Sequence, residues 1–163
     1  MLEPSTGIGQ EPVSPARLRV LLADDHEELL ADISDFLSRE FEIVGAAGDG
    51  ASLVELATRL RPDVVVTDVR MPKISGIDAG RKIIASGVCK AVVVLTIFAD
   101  ARLAKVALEA GIRGYVLKIN AGEDLFPAIS RALKGETFVS SAIAIEDGRK
   151  AQARQLFQNK PAR

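Results

Sequence analysis

The chain holds one cysteine, Cys89, and one histidine, His26, among 163 residues. A lone cysteine closes no internal disulfide and cannot build a cysteine-based zinc site. A lone histidine removes most histidine–metal and Ser-His-Asp constellations at once. Long apolar runs are also missing: stretches such as Ala91–Leu95 fall far short of the roughly 20 residues that span a bilayer. The N-terminus lacks the basic start and apolar stretch of a signal peptide, so a cytoplasmic, membrane-free protein is expected. Charge of either sign is not in excess. With 21 Lys+Arg against 22 Asp+Glu the net charge is −1, which gives no basic field to draw the chain to nucleic acid. No glycine-rich phosphate loop is present, which argues against an enzyme acting on a small molecule.

What is there reads as one globular domain with tails. At 48% hydrophobic and 26% charged residues, the composition suits a packed core rather than disorder. A chain of this size buries roughly two-thirds of its unfolded surface. Residues 1–17 contain Pro4, Pro12, Pro15, Gly7 and Gly9 without apolar periodicity, and are expected to form a flexible tail. The ordered pattern runs over 18–139. Residues 140–163 are expected to be a tail or a short helix, the latter near Arg149–Phe157.

Short apolar runs alternate with helical patterns in the ordered stretch. Leu18–Ala23, Glu42–Ala47, Val64–Thr67, Ala91–Thr96 and Tyr115–Leu117 read as strands. Apolar residues at helical spacing follow each. They are Leu29, Ile33, Phe36 and Leu37; then Leu53, Leu56 and Leu60; then Ile77–Ala85; then Leu103, Val106, Ala107 and Ala110; and last Leu125, Ile129, Ala132 and Leu133. Asp49-Gly50 reads as a turn, and Gly87, Gly111 and Gly135 as stops. Five such alternations predict an α/β fold, a five-stranded parallel sheet with five helices.

Polar residues stand where the strands end. Asp24 and Asp25 follow the first strand, Asp68 the third, Thr96 closes the fourth, and Lys118 follows the fifth. In a doubly wound sheet, ligands bind outside the carboxyl ends of the strands. With strand order 2-1-3-4-5, these five residues share one pocket. Each alone has an ordinary reading: a helix cap with a solvated charge for the Asp pair, a β-branched strand residue for Thr96, a solvated loop lysine for Lys118. Their joint occurrence at these strand ends is far more specific.

The stretches LLADDH (Leu21–His26), VVVTDVRMPKISGID (Val64–Asp78), VVVLTIF (Val92–Phe98) and GYVLKINAGEDL (Gly114–Leu125) resemble the receiver domains of bacterial two-component response regulators. The DDH opening, and Ile119-Asn120-Ala121 after Lys118, resemble the NarL/FixJ-type branch. The resemblance implies a flavodoxin-like doubly wound fold and a phosphoacceptor, Asp68, which takes a phosphoryl group from a sensor histidine kinase or phosphotransfer protein. Such a chain is not an enzyme on a separate substrate, but assists its own phosphotransfer and dephosphorylation. The resemblance further implies Mg²⁺ held by Asp25 and Asp68, by Asp24 mostly through water, and by the backbone carbonyl of Arg70. Three clustered carboxylates would repel a phosphoryl group by about 1–4 kcal/mol per pair at about 4 Å, and a hard dication resolves this. Lys118 is implied to neutralise a phosphoryl oxygen and Thr96 to donate a hydroxyl. Tyr115 is the implied switch residue, acting with Thr96 on the face formed by the fourth helix, fifth strand and fifth helix.

Other residues keep bland readings. His26 is expected to start a helix with no part in transfer, Cys89 to pack, and Gly76 to take a positive φ in the loop after Asp68. The Arg70 side chain either screens the pocket, tuning phosphoryl lifetime, or is solvated. NarL/FixJ-type regulators continue into a helix-turn-helix domain, which residues 140–163 are too few to form. Three functions therefore compete: a single-domain receiver acting through a protein partner or self-association without binding nucleic acid, or as a phosphate sink; a transcription regulator whose DNA-binding half is absent here; and a phosphorylation-independent module.

Overall fold

The structure is a computed structural model that describes residues 16–143; the expected helix near 149–157 lies outside them, as does most of the expected N-terminal tail. Strand β1 (Arg19–Ala23) leads to α1 (Glu27–Leu37), β2 (Glu42–Ala47) to α2 (Gly50–Leu60), and β3 (Val64–Thr67) to α3 (Gly76–Ser86). The alternation continues through β4 (Ala91–Thr96), α4 (Ala101–Glu109), β5 (Gly114–Leu117), a 3₁₀ turn (Lys118–Asn120) and α5 (Ala121–Leu133), and ends in a short β6 (Phe138–Val139). The sheet is parallel, ordered β2-β1-β3-β4-β5-β6.

The period-2 alternation of strands explains the two cores. Leu21, Val65, Val92 and Val94 face one side and pack with Leu53 of α2, Ile83 of α3 and Ala107 of α4. Val20, Leu22, Val64, Val66 and Val93 face the other and pack with Leu37 of α1 and Leu125 and Ile129 of α5. Both faces are covered, so β3 and β4 are apolar at every position before their closing threonines, Thr67 and Thr96. Each buried Val or Leu contributes about 1.5–3 kcal/mol.

Three expectations are corrected here. Among the described residues the sheet has six strands, not five, and the helices number six when the 3₁₀ turn is counted. After Gly135, which adopts a φ of 80°, the chain reverses and Phe138–Val139 pair with β5. Two residues are too short to announce a strand by periodicity, yet they cover an otherwise open edge. Second, the bend after β2 lies at Gly48–Asp49 and runs directly into α2: Asp49 caps the helix, its carboxylate accepting from Ser52 N–H at 2.8 Å, and Gly50 is the first helical residue. Third, α4 buries Ala104 and Ala107 while Val106 remains 43% exposed, so small side chains bring this helix to the sheet.

Gly76 also differs from expectation. It has no positive φ; Lys73 does, at 70°. Glycine is needed at 76 because a Cβ there would fall on the Asp68 carbonyl oxygen, with Thr67 Oγ1 2.9 Å away. Gly76 N–H donates to the Val69 carbonyl at 2.8 Å, folding the loop back under Asp68. Gly76→Ala should therefore lower unfolding stability by roughly 2 kcal/mol or more. Gly48→Ala, whose Cβ would meet nothing within 4 Å, should be nearly neutral in the same urea titration.

Candidate functional site

Because strands β1, β3, β4 and β5 are neighbours in a parallel sheet, their carboxyl ends open on one side of the molecule. Asp24 and Asp68 are buried there, each 6% exposed. Asp68 N–H donates to the Ala23 carbonyl at 3.0 Å, which extends the β1–β3 ladder and sets the acid beside Asp24. Lys118 comes across from the end of β5. Its Nζ lies 2.7 Å from Asp24 Oδ2 and 3.2 Å from Asp68 Oδ2. One ammonium thus joins two buried carboxylates supplied by different strands.

The remaining oxygens are engaged as well. Asp68 Oδ1 accepts from Val69 N–H at 2.7 Å, and Asp24 Oδ1 from His26 N–H at 2.9 Å. Burial pulls the Asp24 carboxyl up, but the Lys118 hydrogen bond, the His26 backbone N–H and the Lys118 charge together hold it below its ordinary value. Burial pulls the Lys118 ammonium down, and the Asp24 bond with the charges of Asp68 and Asp24 outweighs it, so its pKa is raised.

Asp25 is the more open acid of the pair. It lines a cleft of about 580 Å³ together with Asp68, Arg70, Phe98 and Lys118. Ligand atoms of Asp24, Asp25 and His26 all lie within 4.8 Å of one another. His26 does stand at the start of α1, and its Nδ1 also sits 3.2 Å from Asp24 and 3.1 Å from Asp25. The donor set fits a hard divalent cation. Three carboxylates less one ammonium leave a formal charge of −2, the oxygens are the right type, and Asp25 is accessible.

Thr96 and Tyr115 lie behind the cleft, both with no exposed surface. They meet at Phe98, a residue that sequence reasoning missed. Phe98 N–H donates to Thr96 Oγ1 at 3.3 Å, and Tyr115 Oη donates to the Phe98 carbonyl at 2.8 Å. Burial, with the nearby charges of Asp100 and Asp68, raises the Tyr115 pKa, so it stays a neutral donor. The Phe98 ring in turn carries the Arg70 guanidinium 4.3 Å from its centroid. Arg70 is exposed but not simply solvated: it bridges the loops after β3 and β4 through a cation–π contact. The prior signals for Phe98 were its place two residues after the strand-ending Thr96 and at the close of the VVVLTIF stretch. Cys89 is half-buried, and burial pushes its thiol up to about 11, in keeping with a packing role.

Comparison with known proteins gives the same outline. The response regulator receiver domain pattern matches residues 20–130. Transcriptional regulatory protein PdtaR of Mycobacterium tuberculosis is 42% identical over 116 residues, 71% of this chain and 56% of that protein. Transcriptional regulatory protein LiaR of Bacillus subtilis is 36% identical over 129 residues, 78% of this chain and 61% of that one. The chain thus spans less than two-thirds of the length of these relatives. A crystal structure of a LuxR-family two-component response regulator from an Aurantimonas species superposes with a TM-score of 0.76 at 29% identity, covering 83% of this chain and 99% of that one. The isolated REC domain of RcsB from Salmonella enterica, solved with phosphomimetic BeF₃⁻, superposes with a TM-score of 0.70 at 28% identity, covering 78% and 96%.

The ion-pair geometry sets the pH response. Asp24, with a lowered folded pKa, contributes stability that is present above the ordinary value of 3.8 and lost as pH falls through the folded value. Lys118, with a raised one, contributes stability present below 10.5 and lost as pH rises through its folded value. In Lys118→Met, burial of Asp24 loses its main opponent, so the acid limb of stability should move to higher pH. Denaturant unfolding of parent and variant across the acid range reads this shift. Superimposable acid limbs would contradict it.

Proposed function

From the fact that this chain belongs to the response regulator receiver domain family, which serves two-component signalling, we propose that Asp68 is its phosphoacceptor. The observation that carries the reading is Lys118 Nζ held between Asp24 and Asp68 at the floor of the cleft, with Asp25 at its mouth. A carboxylate oxygen of Asp68 forms the new O–P bond as the N–P bond of a donor phosphohistidine breaks. The electron pair returns to the imidazole nitrogen, which takes up a proton. Hydrolysis by water later releases inorganic phosphate and restores the carboxylate. Such transfer depends on positioning and charge neutralisation more than on covalent assistance.

Family members typically bind Mg²⁺ at their acidic site, and here the ion's holders would be Asp25 and Asp68, with Asp24 through water and the Arg70 backbone carbonyl. Bound there, it would supply the positive charge that lets anionic donor and acid pocket approach. Lys118 would leave its carboxylate partners for a phosphoryl oxygen, and Thr96 would turn its hydroxyl toward another. Tyr115, already bonded to the loop that carries Phe98, would follow. The switch is a population shift, so its partner must bind one state better.

Response regulators interact with histidine kinases and downstream targets. For this chain the proposed donor is a sensor histidine kinase or phosphotransfer protein, and the proposed output is a cytoplasmic protein partner or self-association rather than direct contact with nucleic acid. Among the described residues no helix is long and apolar enough to cross a membrane. A second reading has its own support: PdtaR and LiaR are named transcriptional regulatory proteins and are longer than this chain. This domain would then govern a DNA-binding half. Intact Asp24, Asp25, Asp68, Thr96 and Lys118 weigh against a phosphorylation-independent module.

With Mg²⁺ and acetyl phosphate, the protein should gain one hydroxylamine-labile phosphoryl group, measured by intact mass. Asp68→Asn should lose it, and a chelator should suppress it. Equal labelling of Asp68→Asn would sink the assignment.

A further inference from the structure

Strand β6 ends at Val139, and the next residue, Ser140, has no exposed surface. All of its polar groups are engaged. Its N–H donates to the Tyr115 carbonyl at 3.0 Å, and its carbonyl accepts from Ile143 N–H at 3.0 Å. Its hydroxyl donates to Asp124 Oδ2 at 2.7 Å, and the hydroxyl oxygen accepts from Leu117 N–H at 3.0 Å. Asp124 lies in the first turn of α5. Because it takes the hydroxyl proton, a lone pair remains directed at Leu117.

This pairing is unusual in what it holds. The β5–β6 ladder stops at Tyr115 and Val139, and the Ser140 side chain adds a further rung at Leu117. That amide belongs to the residue before Lys118. Ser140 therefore grips both ends of Tyr115–Leu117. One end leads through the Tyr115 hydroxyl to Phe98, the other through Lys118 to Asp24 and Asp68. Ile143, 2% exposed, lies in the same core cluster as Tyr115 and Leu117. A hydroxyl buried this deeply is costly unless bonded, and here both of its bonds tie the segment 138–143 to the site's own strand and helix.

Resting on the phosphoacceptor reading above, we infer that Ser140 is the coupling residue through which the state of the Asp68 pocket reaches the segment 138–143. A phosphoryl group on Asp68 draws Lys118 off its present carboxylate partners and alters the loop bonded to Tyr115. Both changes act on the backbone groups that Ser140 holds. The segment 138–143 then tightens or loosens as one unit, because β6 has only two ladder positions of its own and depends on the Ser140 bonds for the rest.

Amide hydrogen exchange of peptides covering 138–143 tests this on the full chain, with Mg²⁺ and with or without beryllofluoride, beside acetyl phosphate labelling of Asp68. In the parent, beryllofluoride should change the exchange rate of this segment by about threefold or more. In Ser140→Ala, Asp68 should still be labelled while the beryllofluoride response of 138–143 largely disappears. Ser140→Thr, which keeps the hydroxyl, should restore it. The comparison is made within each variant, so a general loss of stability does not imitate the effect. A Ser140→Ala response equal to the parent's would overturn the inference. So would a parent that is labelled at Asp68 but shows no change at 138–143. A parent that takes no label would remove the phosphoacceptor reading itself, and the coupling with it.

Discussion

Everything at the mouth of this sheet depends on one ammonium holding two buried carboxylates that would otherwise repel. Asp24 and Asp68 sit on adjacent strands at the same level, and Lys118 reaches both. Without that cation, burial would raise the Asp24 carboxyl pKa. With it, the Asp24 carboxyl is held below its ordinary value, and three carboxylates less one ammonium leave a formal −2 once Asp25 is counted. The fold thus stores an incomplete charge balance. A divalent cation would offset that charge.

The scaffold around this pair is rigid where it must be. The four strands that deliver the residues are largely apolar and packed between two helical layers. Gly76 lets α3 begin against the Asp68 backbone, and Val69 N–H fixes one oxygen of the acid itself. The loops after β4 and β5 carry the contacts that lead outward. There Phe98 links Thr96, Tyr115 and Arg70, while Ser140 holds Tyr115 and Leu117 from the opposite edge. A change in the pocket therefore has two short physical routes outward, each made of named hydrogen bonds.

Much of this was legible in the amino-acid order. Strand-end placement of Asp24, Asp25, Asp68, Thr96 and Lys118 follows from continuous apolar runs, because parallel strands buried on both faces leave little ambiguity about where they stop. What stayed hidden depends on tertiary contact. Phe138–Val139 is too short for a period, and Ser140 looks like any loop serine until β5 is beside it. Gly76 suggested backbone freedom, whereas close approach to the Asp68 carbonyl is the reason for it. The Arg70–Phe98 stack joins residues 28 positions apart on two loops, and no local pattern announces it. On α4, helical spacing pointed to Ala107 but missed Ala104 and set Val106 on the covered face.

The central claim is that Asp25 and Asp68 complete an oxygen site for a divalent cation beside Lys118. Mn²⁺ accepts the same oxygen ligands as Mg²⁺ and broadens nearby nuclear resonances. Titrated into the isotopically labelled protein, it should broaden the backbone amides of Asp25, Asp68 and Arg70 first, saturating at one equivalent, and Mg²⁺ should reverse the effect by competition. Asp25→Asn should weaken the binding at least tenfold. Broadening centred on other acidic residues, or unchanged in Asp25→Asn, would contradict the account.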